Sequence, residues 1–206
     1  MKRIVFATNN RVKAKEIKEI LAGTDAEVYV ISDLGIVSDP EENGETFAEN
    51  ARIKAMDVFR QLKKNGSIKD TIVMADDSGL CIDYLNGEPG VRSARFMGHD
   101  TPYTEKNRAI LEMMKEARGD DRSAAFVCHI CAVCEDGTVY DAESRMEGAI
   151  AEKAEGSEGF GYDPIFFVPE YGKVSGLLTA EEKNRVSHRG KVLREIRRIL
   201  CQKQLL

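Results

Sequence analysis

The sequence predicts an α/β fold in which a mixed sheet is flanked by helices and divided into two lobes. First, the apolar residues 4–7 are followed by Ile17 and Leu21 at helical spacing, which is typical of a buried strand leading into an amphipathic helix. Second, strand-like and helix-like segments alternate along the chain. Third, residues 123–134 and 139–152 flank a turn and indicate a long antiparallel hairpin. We expect the hairpin to form part of the second lobe, with a central ligand-binding cleft between the lobes.

Length and composition limit the class of protein. A chain of 206 residues that is 42% hydrophobic fits one α/β domain over residues 1–206. The formal net charge of −5 argues against general binding to nucleic acid. No apolar run approaches the ~20 residues of a membrane span, and polar residues after Ala7 end the first apolar stretch too early for a signal peptide. We therefore expect a cytoplasmic protein without membrane or nucleic-acid partners.

The five cysteines are an odd number without a secretory signal, which indicates reduced thiols. Cys128, Cys131 and Cys134 have a spacing that could suggest a zinc site. They lie in the strand-like stretch AAFVCHICAVC, where a step of three residues alternates between faces. No second Cys/His pair follows, so we interpret them as structural thiols.

The first βα turn, Thr8-Asn9-Asn10, has the character of an anion-binding site. A turn in this place presents backbone N–H groups at the positive end of a helix, and lysines follow at positions 13, 15 and 18. However, the stretch lacks the glycines of the usual phosphate-binding loops. From the residues alone it is either a phosphate site without glycines or an ordinary first turn.

The elements that follow can be placed by their capping signals. A second strand is predicted over residues 27–31, and a polar loop over residues 38–45. Thr46 and Glu49 have capping-box spacing and open a helix that reaches about Lys64.

In the second half of the chain, TIVMADDSGLCIDYL predicts a strand, an acidic turn and a second short strand. Thr101 is predicted to cap a helix with Pro102 at its first position, ending near Ala117. Residues 179–182 then open the C-terminal helical region.

Two acidic pairs are candidates for metal chemistry. Asp76 and Asp77 follow a predicted buried strand, which is a common position for ligand sites in α/β folds. Oxygen ligands of this kind suit Mg²⁺, and the alternative is a simple Asp-rich turn. Glu41 and Glu42 precede the helix that carries Lys54. The pattern leaves the facing of Lys54 ambiguous, and a solvated lysine is the plainer interpretation.

Two further stretches are candidates for functional sites. In GFGYDP, glycines on both sides of Phe160 allow close backbone approach, and its ring could stack on a base. The alternative is a turn that holds a core aromatic residue. His188 stands beside Arg189 just before Gly190, which makes this pair a candidate for a functional role. His99 and His129 are interpreted as structural.

Together these stretches resemble one family. ATNNRVKAKEI, ENGETFAENA, MADDSGL, GEPGVRSARF, GFGYDPIFF and EEKNRVSHRGK occur in the order found in the Ham1-like inosine triphosphate pyrophosphatases, and they cover nearly the whole chain. The resemblance implies two α/β lobes around a long curved mixed sheet, with the substrate in a central cleft and a homodimeric assembly. It also implies Mg²⁺-dependent hydrolysis of ITP, dITP or XTP to the monophosphate and pyrophosphate, which removes deaminated purines from the nucleotide pool.

The resemblance also implies roles for individual residues. Asp77 matches the general base and a metal ligand, and Glu41 matches the second metal ligand, although the adjacent Glu42 leaves that choice open. Lys54 matches a lysine near the phosphates, and Ser78 matches a substrate contact. The triphosphate-binding loop corresponds to Thr8, Asn9, Asn10, Arg11, Val12 and Lys13. The nucleobase pocket corresponds to Phe160, Gly161, Tyr162, Asp163, Lys183, His188 and Arg189.

The mechanism that the resemblance implies is governed by charge. Water attacks the α-phosphorus in line and pyrophosphate leaves, while Mg²⁺, Lys13 and Lys54 neutralise the charge on the phosphate oxygens. Asp77 accepts the proton from water or orients it. A carboxylate beside Asp76 and Glu41 is hard to keep ionised without a metal, so we expect metal and base to be coupled.

Two other functions compete with this interpretation of the sequence. One is a Maf-like nucleotide pyrophosphatase that acts on different bases, whose motifs the sequence does not match. The other is a non-catalytic nucleotide-binding protein, in which the carboxylates would be idle.

Overall fold

The computed structural model describes residues 2–22, 25–156 and 160–206, and a seven-stranded mixed sheet runs through this part of the chain. Its strands are β1 (Lys2–Phe6), β2 (Ala26–Val30), β3 (Thr71–Ile82), β4 (Ser123–Val133), β5 (Val139–Ile150), β6 (Phe166–Val168) and β7 (Lys173–Val174). The helices are α1 (Arg11–Ile20), α2 (Phe47–Lys64), α3 (Tyr103–Met113), α4 (Ala180–Val186) and α5 (His188–Gln202).

The strand order is β2-β1-β3-β4-β5-β6-β7. Strand β1 pairs in parallel with β2 and β3, whereas β6 pairs antiparallel with β5 and β7. The predicted α/β class with a mixed sheet is therefore confirmed. The predicted hairpin is also present, because β4 and β5 are neighbours in the sheet and are consecutive in the chain.

The chain divides into two compact units. Unit 1 takes the residues up to Asp77 together with Cys128–Ser144 and Arg189–Leu206, and unit 2 takes Ser78–Val127 and Arg145–His188. That the chain is a single domain with a substrate cleft between two lobes stays a prediction. Within the described residues, none of the helices combines the length and the apolar character that crossing a membrane requires.

Unit 1 has apolar packing on both faces of its strands. Side chains alternate along β1, so that Ile4 and Phe6 pack against helices α1 and α5, whereas Val5 packs against helix α2. The cysteines in β4 and directly after it follow the same rule. Cys128 and Cys134 belong to the first cluster and Cys131 to the second, which confirms the predicted alternation of faces.

Unit 2 is built around a separate apolar cluster that combines β3, α3, β4, β5 and β6. The buried Arg122 links the segment after α3 to the end of β5 in this unit. Its guanidinium donates to the carbonyl oxygens of Met114, Ala117, Ile150 and Ala151 at 2.6–3.2 Å. These bonds give buried carbonyls at the end of α3 and of β5 the partners that they need.

The largest error of the sequence prediction lies in residues 71–85. They do not form a strand, an acidic turn and a second strand, because β3 continues without interruption from Thr71 to Ile82. All residues from Thr71 to Asp77 are buried. Adjacent acidic residues indicate a turn because carboxylates are usually solvated. Here Asp76 and Asp77 can be buried within a strand, because each carboxylate pairs with a cationic side chain on its own face of the sheet.

The start and end of α3 were also predicted wrongly. Pro102, in an extended conformation, is the N-cap, and the helix runs from Tyr103 to Met113 rather than to Ala117. The Thr101 hydroxyl donates to the carbonyl of Met97 at 2.7 Å instead of capping the helix. Arg122 donates to the carbonyl oxygens of the C-cap Met114 and of Ala117, just after the helix.

The predicted capping box at the start of α2 is confirmed. The Thr46 hydroxyl accepts from Glu49 N at 3.1 Å, and the Glu49 carboxylate accepts from Thr46 N at 3.2 Å. The box at Thr179 and Glu182 opens α4 in the same way.

We predict that Thr46→Ala lowers the free energy of unfolding by about 1 kcal/mol, because the first turn of α2 loses a cap. Urea denaturation measures the change. Thr46→Ser keeps the hydroxyl and should stay close to the wild type. Equal losses in both variants would mean that the methyl group, and not the cap, stabilises this helix start.

Candidate active site

The two adjacent carboxylates of β3 point to opposite faces of the sheet. Successive side chains of a strand alternate, so Asp76 follows Met74 toward α1 and α5, and Asp77 follows Ala75 toward α2. Their partners confirm this, since Asp76 contacts Lys13 of α1 and Asp77 contacts Lys54 of α2. The pair therefore forms two different sites rather than one acidic turn.

Asp76 is the centre of a buried ion-pair network. Its Oδ2 accepts from Lys13 Nζ at 2.9 Å and from Arg189 Nε at 3.5 Å, and Arg189 Nη1 donates to Glu16 at 2.6 Å. Burial raises the pKa of Asp76, but the charges of Lys13, Arg189 and Lys54 together outweigh burial and hold the pKa well below its ordinary value. Asp76 is therefore a permanent anion that holds Lys13 in place.

Asp77 lies in a different environment. Lys54 Nζ is 2.9 Å from Asp77 Oδ1 and 2.9 Å from Glu42 Oε2, and Asn50 Nδ2 donates to Asp77 Oδ2 at 3.4 Å. Burial raises the pKa of Asp77 above its ordinary value, and Glu42 raises it further against the opposing effect of Lys54. A buried carboxyl with a raised pKa at a functional position is a candidate for proton transfer.

The structure resolves the ambiguity about Lys54. Its side chain is 15% exposed and its ammonium bridges two carboxylates, so the interpretation as a solvated lysine is wrong. Burial lowers the pKa of Lys54, but Asp77, Asp76 and Glu42 outweigh it and keep the lysine protonated. Of the two acidic loop residues, Glu42 makes this contact, whereas Glu41 is exposed.

The donor set around Lys54 fits a hard cation. Asp77 and Glu42 already hold one positive charge between their oxygens. Within the described ranges, no group of three or more His, Cys, Asp or Glu residues could hold a metal by itself. Mg²⁺ commonly binds to one or two carboxylates and completes its shell with water and substrate phosphates. Asp77 with Glu42 or Glu41 is such a partial set.

The turn Thr8-Asn9-Asn10 forms without glycine. Asn10 is the N-cap of α1, and its Oδ1 accepts from the backbone N of Val12 and Lys13 at 2.9 and 3.2 Å. Thr8 Oγ1 accepts from Asn10 N at 3.2 Å. Asn9 Nδ2 donates to the Ser38 carbonyl at 3.3 Å. The helix N–H groups that could bind a phosphate are thus capped by Asn10, and a phosphate must compete with this cap.

The other residues of this loop are placed as follows. Lys13 is turned toward Asp76, and Val12 is about half exposed. Arg11 starts the helix, but its side chain lies outside the described residues. Ser78, the residue after Asp77, is partly exposed. Their predicted contacts with a substrate stay predictions.

In unit 2, Asp163 is the centre of a second polar cluster. It is buried and accepts from Phe160 N at 2.8 Å, from Ser175 Oγ at 2.8 Å and from Lys183 Nζ at 2.6 Å. Lys183 also lies 5.2 Å from the centre of the Phe160 ring. The carboxylate therefore holds a cation and an aromatic ring side by side.

The core aromatic residue of GFGYDP is Tyr162, and the stacking of Phe160 on a base stays a prediction. Tyr162 is the core aromatic, since it is buried and its hydroxyl donates to the Ser93 carbonyl at 2.8 Å. Phe160 is only partly buried, so its ring keeps an accessible surface. Between them Gly161 has a φ of +72°, which a residue with a side chain rarely adopts.

His188 and Arg189 are neighbours in sequence but belong to different clusters. The His188 ring stacks on Phe126 at 5.0 Å between centroids with 16° between planes, in unit 2. Arg189 belongs to unit 1 and pairs with Asp76 and Glu16. The predicted contact of Arg189 with a base stays a prediction, and the contacts described here are those of an anchor for Asp76.

Sequence reasoning missed three residues of these clusters: Asn50, Glu16 and Ser175. For Asn50 a signal existed, since it lies four residues before Lys54 and therefore on the same face of α2. An asparagine is also an unfavourable choice in the interior of a helix. For Glu16 and Ser175 the partners are far away in sequence and no local pattern identifies them.

By fold and chemistry this is an α/β protein that gathers lysines and carboxylates of the kind that bind metal-bound phosphates. The sequence profile of the Ham1 family matches residues 4–199, and the chain belongs to that family. A dITP/XTP pyrophosphatase of Clostridium perfringens is 46% identical over 197 residues, which are 96% of each chain. One of Caldanaerobacter subterraneus is 43% identical over 98% of each chain.

Solved structures agree with this membership. The Ham1 protein of Staphylococcus aureus superposes with a TM-score of 0.85 at 36% identity, covering 98% of this chain and 100% of that one. A HAM1 protein of Coxiella burnetii gives a TM-score of 0.83 at 37% identity with the same coverage. The architecture is thus that of the family.

We predict that the two neighbouring carboxylates respond oppositely to loss of charge. Asp76→Asn should lower the free energy of unfolding by about 3–5 kcal/mol, because the buried Arg189 and the partly buried Lys13 lose their shared anion. Asp77→Asn should cost less than about 1 kcal/mol or stabilise, because a raised pKa means that the ionised form is less favourable in the folded state than in the unfolded chain.

Urea denaturation at pH 7 with a chelator present measures both variants without any metal contribution. Equal losses would show that the two carboxylates are equally well paired, against the opposite directions of their pKa shifts.

Proposed function

We propose that the protein hydrolyses the deaminated purine nucleotides ITP, dITP and XTP to the monophosphate and pyrophosphate. The observation that carries the proposal is the bridge of Lys54 between Asp77 and Glu42, which gathers a base, a cation and a metal ligand at one point. The names of the relatives, dITP/XTP pyrophosphatases, support the choice of substrate. Its biological purpose would be the removal of deaminated purines from the nucleotide pool.

Asp77 acts on the attacking water in this proposal. Burial raises the pKa of Asp77 in the metal-free protein, and a bound Mg²⁺ would oppose this effect and keep the carboxylate ionised, as a general base must be. The water, held or deprotonated at the Asp77 carboxylate, attacks the α-phosphorus, and the bond to the pyrophosphate group breaks. Asp77 and either Glu42 or Glu41 would hold Mg²⁺, which supplies positive charge to the phosphate oxygens.

The lysines neutralise the negative charge that moves onto pyrophosphate. Lys13 lies at the N-terminus of α1 and is held by the permanent anion Asp76. Lys54 stays protonated in its buried position. Ordered cations of this kind stabilise the charge of the transition state without reorganisation.

The residues of unit 2 select the base. Inosine and xanthosine carry a carbonyl at position 6, where adenosine carries an amino group. Lys183 has only hydrogens to donate, and Phe160 beside it offers a surface for stacking. With ATP, a donor would face a donor, at a cost of about 1–3 kcal/mol for each unpaired group. His188 or backbone N–H groups of residues 160–163 would add further donors.

We further propose that the enzyme works in the cytoplasm as a homodimer. It would act on free nucleotides rather than on nucleic acid, in agreement with its net charge of −5. The following assay separates this function from a Maf-like specificity and from a purely binding function.

We predict release of pyrophosphate, and not of orthophosphate, from dITP, ITP and XTP in the presence of Mg²⁺. ATP should be used at least about 100-fold less efficiently in kcat/KM, from two donor conflicts at ~1.4 kcal/mol per tenfold. A panel of triphosphates assayed for both products tests this. Comparable rates on ATP, or nucleoside diphosphate as product, would contradict the proposal.

Asp77→Asn is the matched control of this assay. It keeps the size of the side chain but removes the base, and kcat should fall by about 10²–10⁴-fold. Retained activity within about tenfold would place the base elsewhere.

We predict that two lysines differ in their dependence on the base. Lys13→Ala should lower kcat/KM by the same factor for every triphosphate, whereas Lys183→Ala should lower it about 10–100-fold for dITP and XTP and little for ATP. Lys15→Ala, at an 80% exposed side chain of α1, is the control. A base-dependent loss in Lys13→Ala would show that the first turn is not the phosphate loop.

A further inference from the structure

Asn50 is a fully buried amide that joins two parts of the candidate catalytic cluster in unit 1. Its Oδ1 accepts from the backbone N of Gly44 at 2.9 Å, and its Nδ2 donates to Asp77 Oδ2 at 3.4 Å. Its exposed fraction is 0%. Building on the proposed function, we propose that Asn50 is a positioning residue: it orients the Asp77 carboxylate and fastens to it the segment Glu41–Gly44.

The orientation of the Asn50 amide follows from its partners. The oxygen and nitrogen of an amide group look alike, and their assignment has to come from the surroundings. Gly44 N is a donor and must face the oxygen of the amide. The amide nitrogen is therefore turned toward Asp77, which as a carboxylate only accepts. Both ends of the side chain are used in one consistent arrangement.

Asn50 and Lys54 bond to different oxygens of the Asp77 carboxylate. Lys54 Nζ is bonded to Oδ1, and Asn50 Nδ2 to Oδ2. The last torsion of an aspartate is soft, so one donor alone leaves the carboxylate plane free to turn. Two donors from the same helix, four residues apart, define the plane. An oriented carboxylate is what a base needs in order to hold water on a line of attack.

The other end of Asn50 requires a glycine. A Cβ added at Gly44 would lie 2.7 Å from Asn50 Oδ1 and 2.7 Å from Glu49 Cβ, much closer than side-chain carbons approach. The close passage of the backbone past Asn50 thus depends on Gly44. Glu42, the carboxylate that shares Lys54 with Asp77, lies only two residues before it. The amide of Asn50 therefore fixes the position of the segment Glu41–Gly44 relative to Asp77.

Packing alone does not explain an asparagine at this position. The neighbouring inward positions of α2 are occupied by Ala51, Ala55 and Val58, which belong to an apolar cluster. An apolar residue would suit a helix interior better than asparagine. The amide instead bonds at both of its polar atoms, with a backbone N–H at Oδ1 and a carboxylate at Nδ2.

The test combines Asn50→Leu, which keeps the branched shape of the side chain without its hydrogen bonds, with Gly44→Ala, which pushes the backbone away from an intact Asn50. We expect Asn50→Leu to lower kcat on dITP by about 10–100-fold with KM within threefold, since a shift of about 1 Å in a reacting group costs this much. Gly44→Ala should lower kcat in the same direction. The double variant should be no slower than Asn50→Leu, because both changes break one contact.

Controls separate positioning from stability. Asn65→Leu, at the exposed C-cap of α2, should leave kcat unchanged. Circular dichroism establishes that each variant is folded, and if Asn50→Leu does not fold, Gly44→Ala decides alone. Multiplicative losses in the double variant, an effect on KM only, or kcat within threefold of wild type in the folded variants would overturn the proposal.

A second measurement does not depend on activity. Hydrogen exchange of the Gly44 amide should be slow in the wild type and at least about tenfold faster in Asn50→Leu, because opening then no longer has to break a buried bond. Unchanged exchange would overturn the contact itself. If the wild type does not hydrolyse dITP, the proposed function fails, and this exchange result still reports on Asn50 separately.

Discussion

The alternation of side chains along β3 is the constraint on which the candidate site depends. Because the strand continues through Asp76 and Asp77, the two carboxylates must point to opposite faces. Each face then supplies its own partners, from α1 and α5 for Asp76 and from α2 for Asp77. A turn at this point would have placed both groups in water with equal chemistry. The strand makes them different.

The difference is electrostatic. Asp76 is surrounded by Lys13 and Arg189, so that its pKa is held low and it serves as a fixed anion. Asp77 has a raised pKa, because burial is only partly balanced by Lys54 and a second carboxylate lies nearby. One residue thus anchors cations, and the other has a higher proton affinity than an ordinary aspartate. The same strand supplies both from consecutive positions.

Unit 2 uses a buried carboxylate in the same manner. Asp163 holds Lys183 and the backbone of Phe160, while Ser175 donates to its other oxygen. A fully bonded carboxylate can be buried without large cost, and it then sets the positions of groups that would otherwise be mobile. In both units, therefore, the residues that meet a substrate in our proposal are held by an aspartate behind them.

Local patterns in the sequence determined the class of fold, the first βα turn, the hairpin and the capping boxes at Thr46 and Thr179, because these depend on residues within a few positions of one another. The motifs also determined the family. Tertiary structure decided the rest. The expected acidic turn is part of a strand, and Lys54 is largely buried. Arg189 and His188 belong to different clusters. Asn50 and Ser175 bond to the two aspartates of the candidate site, Asp77 and Asp163. These outcomes depend on which elements cover each face of the sheet, and charged side chains reveal their role only when distant partners lie next to them.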